Sequence, residues 1–541
     1  MTTSTNRPSA RWLAHLPLAA ALLFVALFVV TPLVAMFAPT LWVDGGLSLQ
    51  RYADLLANPQ DRGELLNSAL LGLGAAMVAM LLGGSFAWLT HRTDLPLGGW
   101  LAPLGIAPLA IPPILVAMGF ADLVPVSGFW ACVILLGICY APFVAVLTAR
   151  GLRSVDGRGY EAALLARGRG AAERLLLRSV TPELLAGAFL AFLFAISEHG
   201  VPEFLTVKGK TWHTYAEGVF RRWSRRATGA TEEEMLSPVV AALPLLLLAG
   251  LALAIVLRIR ARANLGNPAP LPIRPLGRWR WPALAVPGLY LALGVGVPVL
   301  VMGLWAAGST QRLEPMSLDL VRSSFQKALE QAGGDLRFTF LNALAAAALV
   351  GGAAIPLARL AARRFGWIDH LAVIPLATPA VLLTIGFVHA YNGPTVAELY
   401  AATFDFYDSS AILATAYAAR LLPFGVLLLS AHVRRMPKSH DEAVLFTPRG
   451  PLARAWRIHL PALAPALVPL GCLLFVLAQR ELDVAVVLPA GNETVVRRLS
   501  NVVHFGGEDV GGALALLLLL GAILPPLVAV LLRGRRLDSL S

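Results

Sequence analysis

Polar and apolar positions in this chain fall into long blocks. Apolar runs lie near 15–37, 66–89, 99–121, 128–148, 183–200 and 237–257, and a second series near 281–306, 340–361, 369–390, 410–431, 462–479 and 510–532. A helix of about 20 apolar residues crosses the hydrocarbon core of a bilayer, and backbone polar groups there must be satisfied within the segment. The pattern predicts an all-α, polytopic membrane protein with about 12 transmembrane helices. The first run follows Arg7 and Arg11 and is too long for a signal-peptide core, so it reads as a retained span.

The two series look like copies. "LNSALLGLGAAMVAMLLGG" from Leu66 parallels "LNALAAAALVGGAAIPLA" from Leu341, and "APLAIPPILVAMGFA" from Ala107 parallels "IPLATPAVLLTIGFV" from Ile374. "YAPFVAVL" from Tyr140 parallels "LLPFGVLL" from Leu421, and the offset from Pro142 to Pro423 equals that from Glu161 to Glu442. Matches in the same order indicate an internal repeat. Six spans per half is an even number, so the halves are expected to be parallel, related by an axis along the membrane normal. The expected division is a first half over 1–262, a linker rich in Arg and Pro over 263–280, and a second half over 281–541.

Composition narrows the class further. Hydrophobic residues make up 57% of the chain and charged residues 14%, against roughly 25% charged in soluble domains. Mean hydropathy is +0.70. Too little polar surface remains to cover a soluble fold, which excludes a soluble enzyme, a disordered chain and a secreted disulfide scaffold. The net charge of +12 fits basic residues gathered at cytoplasmic helix ends: Arg150, Arg153, Arg258, Arg359, Arg363, Arg434, Arg435 and Arg533 fall on one side, with both termini cytoplasmic. One segment departs from the rule. The expected outer loop around 206–235 holds Lys208, Lys210, Arg221, Arg222, Arg225 and Arg226. Within it, "YAEGVFRRWSRR" reads as an interfacial helix with Tyr215, Phe220 and Trp223 dipping toward lipid. Cys132, Cys139 and Cys472 sit in apolar runs without metal-ligand spacing and read as packing residues.

Two loops carry the most information. "YEAALLARGRGAAERLLLRSVTPELL" begins at Tyr160 and "DEAVLFTPRGPLARAWRIHLPALAP" at Asp441. Each combines a Glu-Ala pair, a helical segment, a turn residue and a basic second helix, then a proline suited to the first turn of the next span, Pro182 or Pro461. These loops, over about 155–182 and 435–461, resemble the EAA loop of ABC-importer permeases. That pattern is Glu-Ala-Ala, three residues, Gly, nine residues, Ile-x-Leu-Pro. The second loop fits in frame at Glu442, Ala443, Ile458, Leu460 and Pro461, with Pro448 at the Gly position and Gly450 two places on. The first has Glu161, Ala162 and Ala163, with Gly168 one place late and Ser179-Val180-Thr181-Pro182 at its end.

The resemblance implies two type I ABC-importer permease repeats fused in one chain, as in iron(III)- and thiamine-type permeases. It implies that the two loops are coupling helices gripping a cytoplasmic ABC ATPase dimer. A periplasmic solute-binding protein would dock on outer loops that include 201–235 and 482–507. ATP would be used by the partner subunit, and no cofactor or metal would be bound by this chain. The implied location is a bacterial inner membrane, and the implied cargo a small solute, iron(III) or thiamine.

Ionisable residues at membrane depth are candidate functional sites. "FAISEHGVPEFL" holds Glu198 and His199, and its counterpart "FVLAQRELDVAVVL" holds Arg480, Glu481 and Asp483. They either line the transport pathway or are solvated at outer helix ends. Arg420 and His389 read as helix-end or packing residues. Pro108, Pro112, Pro113, Pro375 and Pro379 interrupt the third and ninth runs, as kinks or as the parts of a gate. Gly209-Lys210-Thr211 lacks the upstream Gly of a phosphate-binding loop. The histidines form no catalytic pattern, and a nucleic-acid partner is not expected. An ion-gradient-driven transporter with two parallel six-helix halves explains the repeat equally well, but not the paired loops.

Overall fold

A computed structural model describes the chain apart from residues 1–14, 44, 206–211, 225–235, 237, 238, 241, 242, 245, 248, 249, 252–268, 309–316, 372, 373, 393–404, 438, 440–453, 490, 492, 506, 507 and 538–541. Nine helices among the described residues are long and apolar enough to cross a membrane. They are α1 (Leu16–Leu41), α2 (Pro59–Arg92), α5 (Gly128–Ser154), α7 (Arg169–Ser197), α9 (Pro282–Ala306), α10 (Leu318–Arg363), α12 (Ser410–Arg435), α13 (Arg457–Gln479) and α16 (Glu508–Leu537). A further span is broken: α3 (Gly98–Ala110) and α4 (Pro113–Leu123) meet at 92°. Shorter helices are α6 (Gly157–Arg167), α8 (Tyr215–Ser224), α11 (Ala380–Tyr391), α14 (Leu482–Val487) and α15 (Val495–Phe505). The apolar run at 237–257 lies largely outside the described residues.

Helices α2, α5 and α7 pack together, as do α10, α12 and α13. The first helix of each series crosses to the other group: α1 lies on α10 and α11, and α9 on α4. Both crossing helices contain a π-turn, Ala26–Val30 in α1 and Ala292–Gly296 in α9, just ahead of Pro32 and Pro298. In the π register of α1, Thr31 N–H donates to the Ala26 carbonyl. The donor for Leu27 would then be Pro32, which has no N–H. The Tyr391 hydroxyl fills that place on the Leu27 carbonyl at 2.5 Å. Each proline presses on a glycine of the opposite group. A Cβ at Gly386 would stand 2.6 Å from the Pro32 carbonyl oxygen, and one at Gly119 would stand 3.2 Å from Pro298 Cα.

Two sequence expectations need correction. Pro182 does not open a span, because α7 runs unbroken from Arg169 to Ser197 with the proline inside it. The expected second loop helix and the following span are one element. Nearby hydroxyls bond back to the helix, Thr181 donating to the Leu177 carbonyl (2.6 Å) and Ser179 to that of Leu175 (3.0 Å). Nor does Tyr215 face lipid. It is buried against protein, its N–H donating to Ser68 Oγ of α2 at 2.7 Å, while Phe220 and Trp223 are half-buried against the core. Counter-charge explains the basic character of this helix: Arg221 pairs with Glu64 at 2.8 Å and Arg222 with Asp61, both near the start of α2. Helix α15 docks on α10 in the same manner, with Val495 N–H on Thr339 Oγ1 (3.0 Å) and Arg498 paired with Asp335.

The proline–glycine contact gives a stability test. Gly386→Ala should destabilise the chain by about 1–3 kcal/mol through overpacking. Gly471→Ala, with nothing within 4 Å of the added carbon, should be neutral or slightly stabilising. Thermal unfolding in detergent, followed by tryptophan fluorescence, checks both.

Candidate functional site

Helices α7 and α13 stop at corresponding places. The chain turns extended at Glu198 after Ser197 and at Glu481 after Gln479 and Arg480. There the charged stretches that the sequence singles out come together. His199 Nδ1 lies 2.8 Å from Asp483 Oδ1, and the Tyr140 hydroxyl donates to Glu198 Oε2 at 2.9 Å. Arg420 Nε lies 3.2 Å from Glu481 Oε2, and the Tyr417 hydroxyl donates to the Glu481 carbonyl at 3.2 Å. Arg480 stands over the Tyr140 ring at 5.5 Å and Arg420 over Phe194 at 5.7 Å.

This cluster is not a solvated helix end, which corrects that alternative for Arg480, Glu481 and Asp483. His199, Arg420, Arg480 and Asp483 are each no more than 6% exposed. Tyr140 and Arg420 lie about 18 Å and 15 Å along α5 and α12 at helical rise, close to the middle of a hydrocarbon core about 30 Å thick. Arg420, read from sequence as a packing or helix-end residue, is a member of the cluster. His389 stays outside it, its ring bonded to the Ile385 carbonyl at 2.9 Å. Three carboxylates, two guanidinium groups and an imidazole share the site. Such charges are tolerable at this depth only when paired with one another or with backbone carbonyls.

The broken span supplies the remaining partner. In a continuous helix the Leu109 carbonyl would accept from residue 113, but Pro113 has no N–H. Arg480 Nη1 donates to that carbonyl at 2.7 Å. A second-series arginine therefore completes the backbone of the first-series break. The enclosed space bounded by Pro112, Pro113, Tyr140, Glu198, Arg420 and Asp483 amounts to about 20 Å³, room for about one water. Gln479, beside Arg480, is buried with neither amide atom hydrogen-bonded among the described residues. The sequence reading passed over Tyr140, Gln479 and the Leu109 carbonyl. The Pro112-Pro113 pair was the one signal that an orphaned carbonyl lay nearby.

The first loop forms the second site. Asp156 caps α6 by accepting the Arg158 N–H at 3.1 Å, and Gly168, at φ +75°, turns the chain from α6 into α7. A positive φ with this extended ψ favours glycine. Gly157 and Tyr160 face the bundle, whereas Glu161, Ala162, Leu164 and Leu165 are exposed, Leu165 by 87%. Ala163 is half-buried. Glu442, Ala443, Pro448 and Gly450 of the second loop lie outside the described residues. Among the described residues, no group of three or more His, Cys, Asp and Glu side chains is arranged to hold a metal ion.

Residues 79–264 match the family of binding-protein-dependent transport system inner membrane components. This stretch is thus similar to the permease domain of ABC importers. It contains the broken span, α5, α6, α7 and the Glu198–His199 side of the cluster. The sulfate transport system permease protein CysT of Salmonella typhimurium (strain LT2) is similar to this chain, 27% identical over 256 residues, which cover 43% of the chain and 89% of that relative.

The charged cluster can be tested by pair deletion. Asp483→Ala leaves His199 and its neighbours uncompensated and should cost about 3–5 kcal/mol. The double change His199→Phe with Asp483→Ala should recover part of that loss. A thermal-unfolding cycle of the four proteins measures the coupling.

Proposed function

We propose that this chain is the transmembrane permease subunit of an ABC importer, with both halves fused, carrying a small solute from periplasm to cytoplasm across a bacterial inner membrane. The observation that carries the reading is an exposed elbow, α6, within the stretch that matches the importer permeases. Its Glu161, Leu164 and Leu165 offer a charged and apolar face that the bundle leaves uncovered. A separate cytoplasmic ATPase dimer takes this elbow and its second-half counterpart around Glu442. A periplasmic binding protein delivers cargo to the opposite face, where α8 and α15 lie pinned to α2 and α10. Several paired features favour two halves: the reciprocal crossing of α1 and α9, the two proline–glycine contacts, and the matched docking of α8 and α15.

The mechanism follows from the shut cluster. The inter-half contacts His199–Asp483 and Arg480–Leu109 hold the two groups of helices together at mid-depth. ATP binding draws the ATPase subunits together and moves the elbows. The bundles then rock until these contacts part and a polar passage opens. Only a difference in ATP affinity between the two states can drive such a shift. Glu198, His199, Arg480 and Glu481 then line the passage, with both signs of charge present. Hydrolysis takes place in the partner, so this chain is not itself an enzyme. The loop resemblance puts forward iron(III) or thiamine as cargo and the relative's name puts forward sulfate; an uptake assay compares the three.

Charge reversal at both elbows, Glu161→Lys with Glu442→Lys, should lower ATPase co-purification and ATP-driven uptake at least about tenfold, a loss of ~1.4 kcal/mol or more in coupling, with membrane insertion unchanged. Uptake driven by a proton or sodium gradient in vesicles holding this chain alone would replace the importer reading.

A further inference from the structure

Residues 269–280, between the two series of helices, are laid along the first elbow as a strap. Gly157 N–H donates to the Ala269 carbonyl at 2.9 Å, and Ala269 N–H donates back to Asp156 Oδ1 at 3.1 Å. Asp156 thus caps α6 and binds the strap with one oxygen. Farther on, Arg274 N–H donates to the Arg92 carbonyl at 2.8 Å and the Arg274 carbonyl accepts the Asp94 N–H at 3.2 Å, a short parallel bridge to the end of α2. Leu276 N–H is held by Asp94 Oδ1 at 2.7 Å, and Arg280 Nε donates to the Asp94 carbonyl at 2.8 Å.

Side chains close the seam. Leu271 packs against a buried cluster of Leu152, Val155, Tyr160, Ala172, Leu176 and Val180, which joins α5, α6 and α7. The buried Arg92 guanidinium lies over the Tyr160 ring at 4.9 Å, and the Tyr160 hydroxyl donates to Glu173 at 3.1 Å. The fit is close enough to require glycine: a Cβ at Gly157 would stand 2.2 Å from the Pro270 carbonyl oxygen. Immediately after the strap the chain enters α9, whose Pro298 presses on Gly119 of the broken span. The strap, hydrogen-bonded to the elbow and continuous in the chain with α9, therefore links the elbow to the helix that backs α4.

We propose that the inter-half strap at 269–280 is a positioning element for α6, fixing the elbow's N-terminal end and tying its movement to α9. Asp156, Gly157 and Leu271 are its positioning residues. The inference rests on the coupling role proposed for α6. A plain tether between halves would need no fitted surface, whereas this one has reciprocal backbone bonds, an apolar plug and a glycine-only contact at the base of the elbow.

The test compares Gly157→Val with Gly159→Val, two changes of one kind in one helix. An added carbon at Gly159 meets nothing within 4 Å. Full-length protein in detergent, with any ATPase that co-purifies, is followed by amide hydrogen exchange. G157V and L271D should each speed exchange across 158–167 and 92–94 about tenfold relative to wild type, and should lower ATPase retention. G159V should do neither. Leu271→Ala replaces L271D if the latter fails to insert. Exchange in G157V equal to that in G159V would overturn the strap. Absence of any ATPase from the wild-type preparation would count against the coupling reading, while the exchange comparison still decides whether the strap holds α6.

Discussion

Everything in this bundle is arranged around the cost of placing charge in a medium that does not solvate it. Six ionisable side chains meet near mid-depth: His199 and Asp483 pair across the boundary between two groups of helices, Arg480 reaches across it to a backbone carbonyl freed by a proline, and Arg420 with Glu481 and Glu198 with Tyr140 pair within a group. No single helix could carry them. Arg480 serves a break in another span, His199 is matched by Asp483, and Arg420 reaches Glu481. The same pairing that makes the charges tolerable also fastens the two groups together. Stability and closure therefore share one set of contacts.

A second constraint is close packing where prolines bend the helices. The π-turns in α1 and α9 release carbonyls and re-aim the chain so that each helix leans on the opposite group. Glycines at 119 and 386 let the backbones approach, and the Tyr391 and Tyr290 hydroxyls take up carbonyls at Leu27 and Gly105. At the face holding α8 and α15, acidic residues near the start of α2 and in the first half of α10 pair with arginines of those helices. The local departure from the charge rule is thus a packing device.

Much of this was legible in the sequence because hydropathy is a local signal. Most of the apolar runs correspond to helices, and the third was correctly seen to be interrupted at its prolines. The charged stretches at 198–199 and 480–483 stood out for the same reason. Their depth did not, since counting along one helix cannot show that the chain turns inward at Glu198 and Glu481. Arg420 looked like packing because its partner is 61 residues away, and pairing at that distance leaves no periodic trace. A sound local preference puts Pro182 at a helix start, and continuous packing of α7 on α5 overrides it. The pattern around Tyr215 suits lipid because an amphipathic helix looks the same whether its apolar face meets hydrocarbon or protein.

The bond from Arg480 to the Leu109 carbonyl carries one more implication. In the proposed importer cycle, separation of the two groups of helices would leave that oxygen without its donor and the guanidinium without its acceptor, and Pro113 has no N–H to take the donor's place. In that cycle water or solute would have to step in as they part, so that opening and wetting would be a single event.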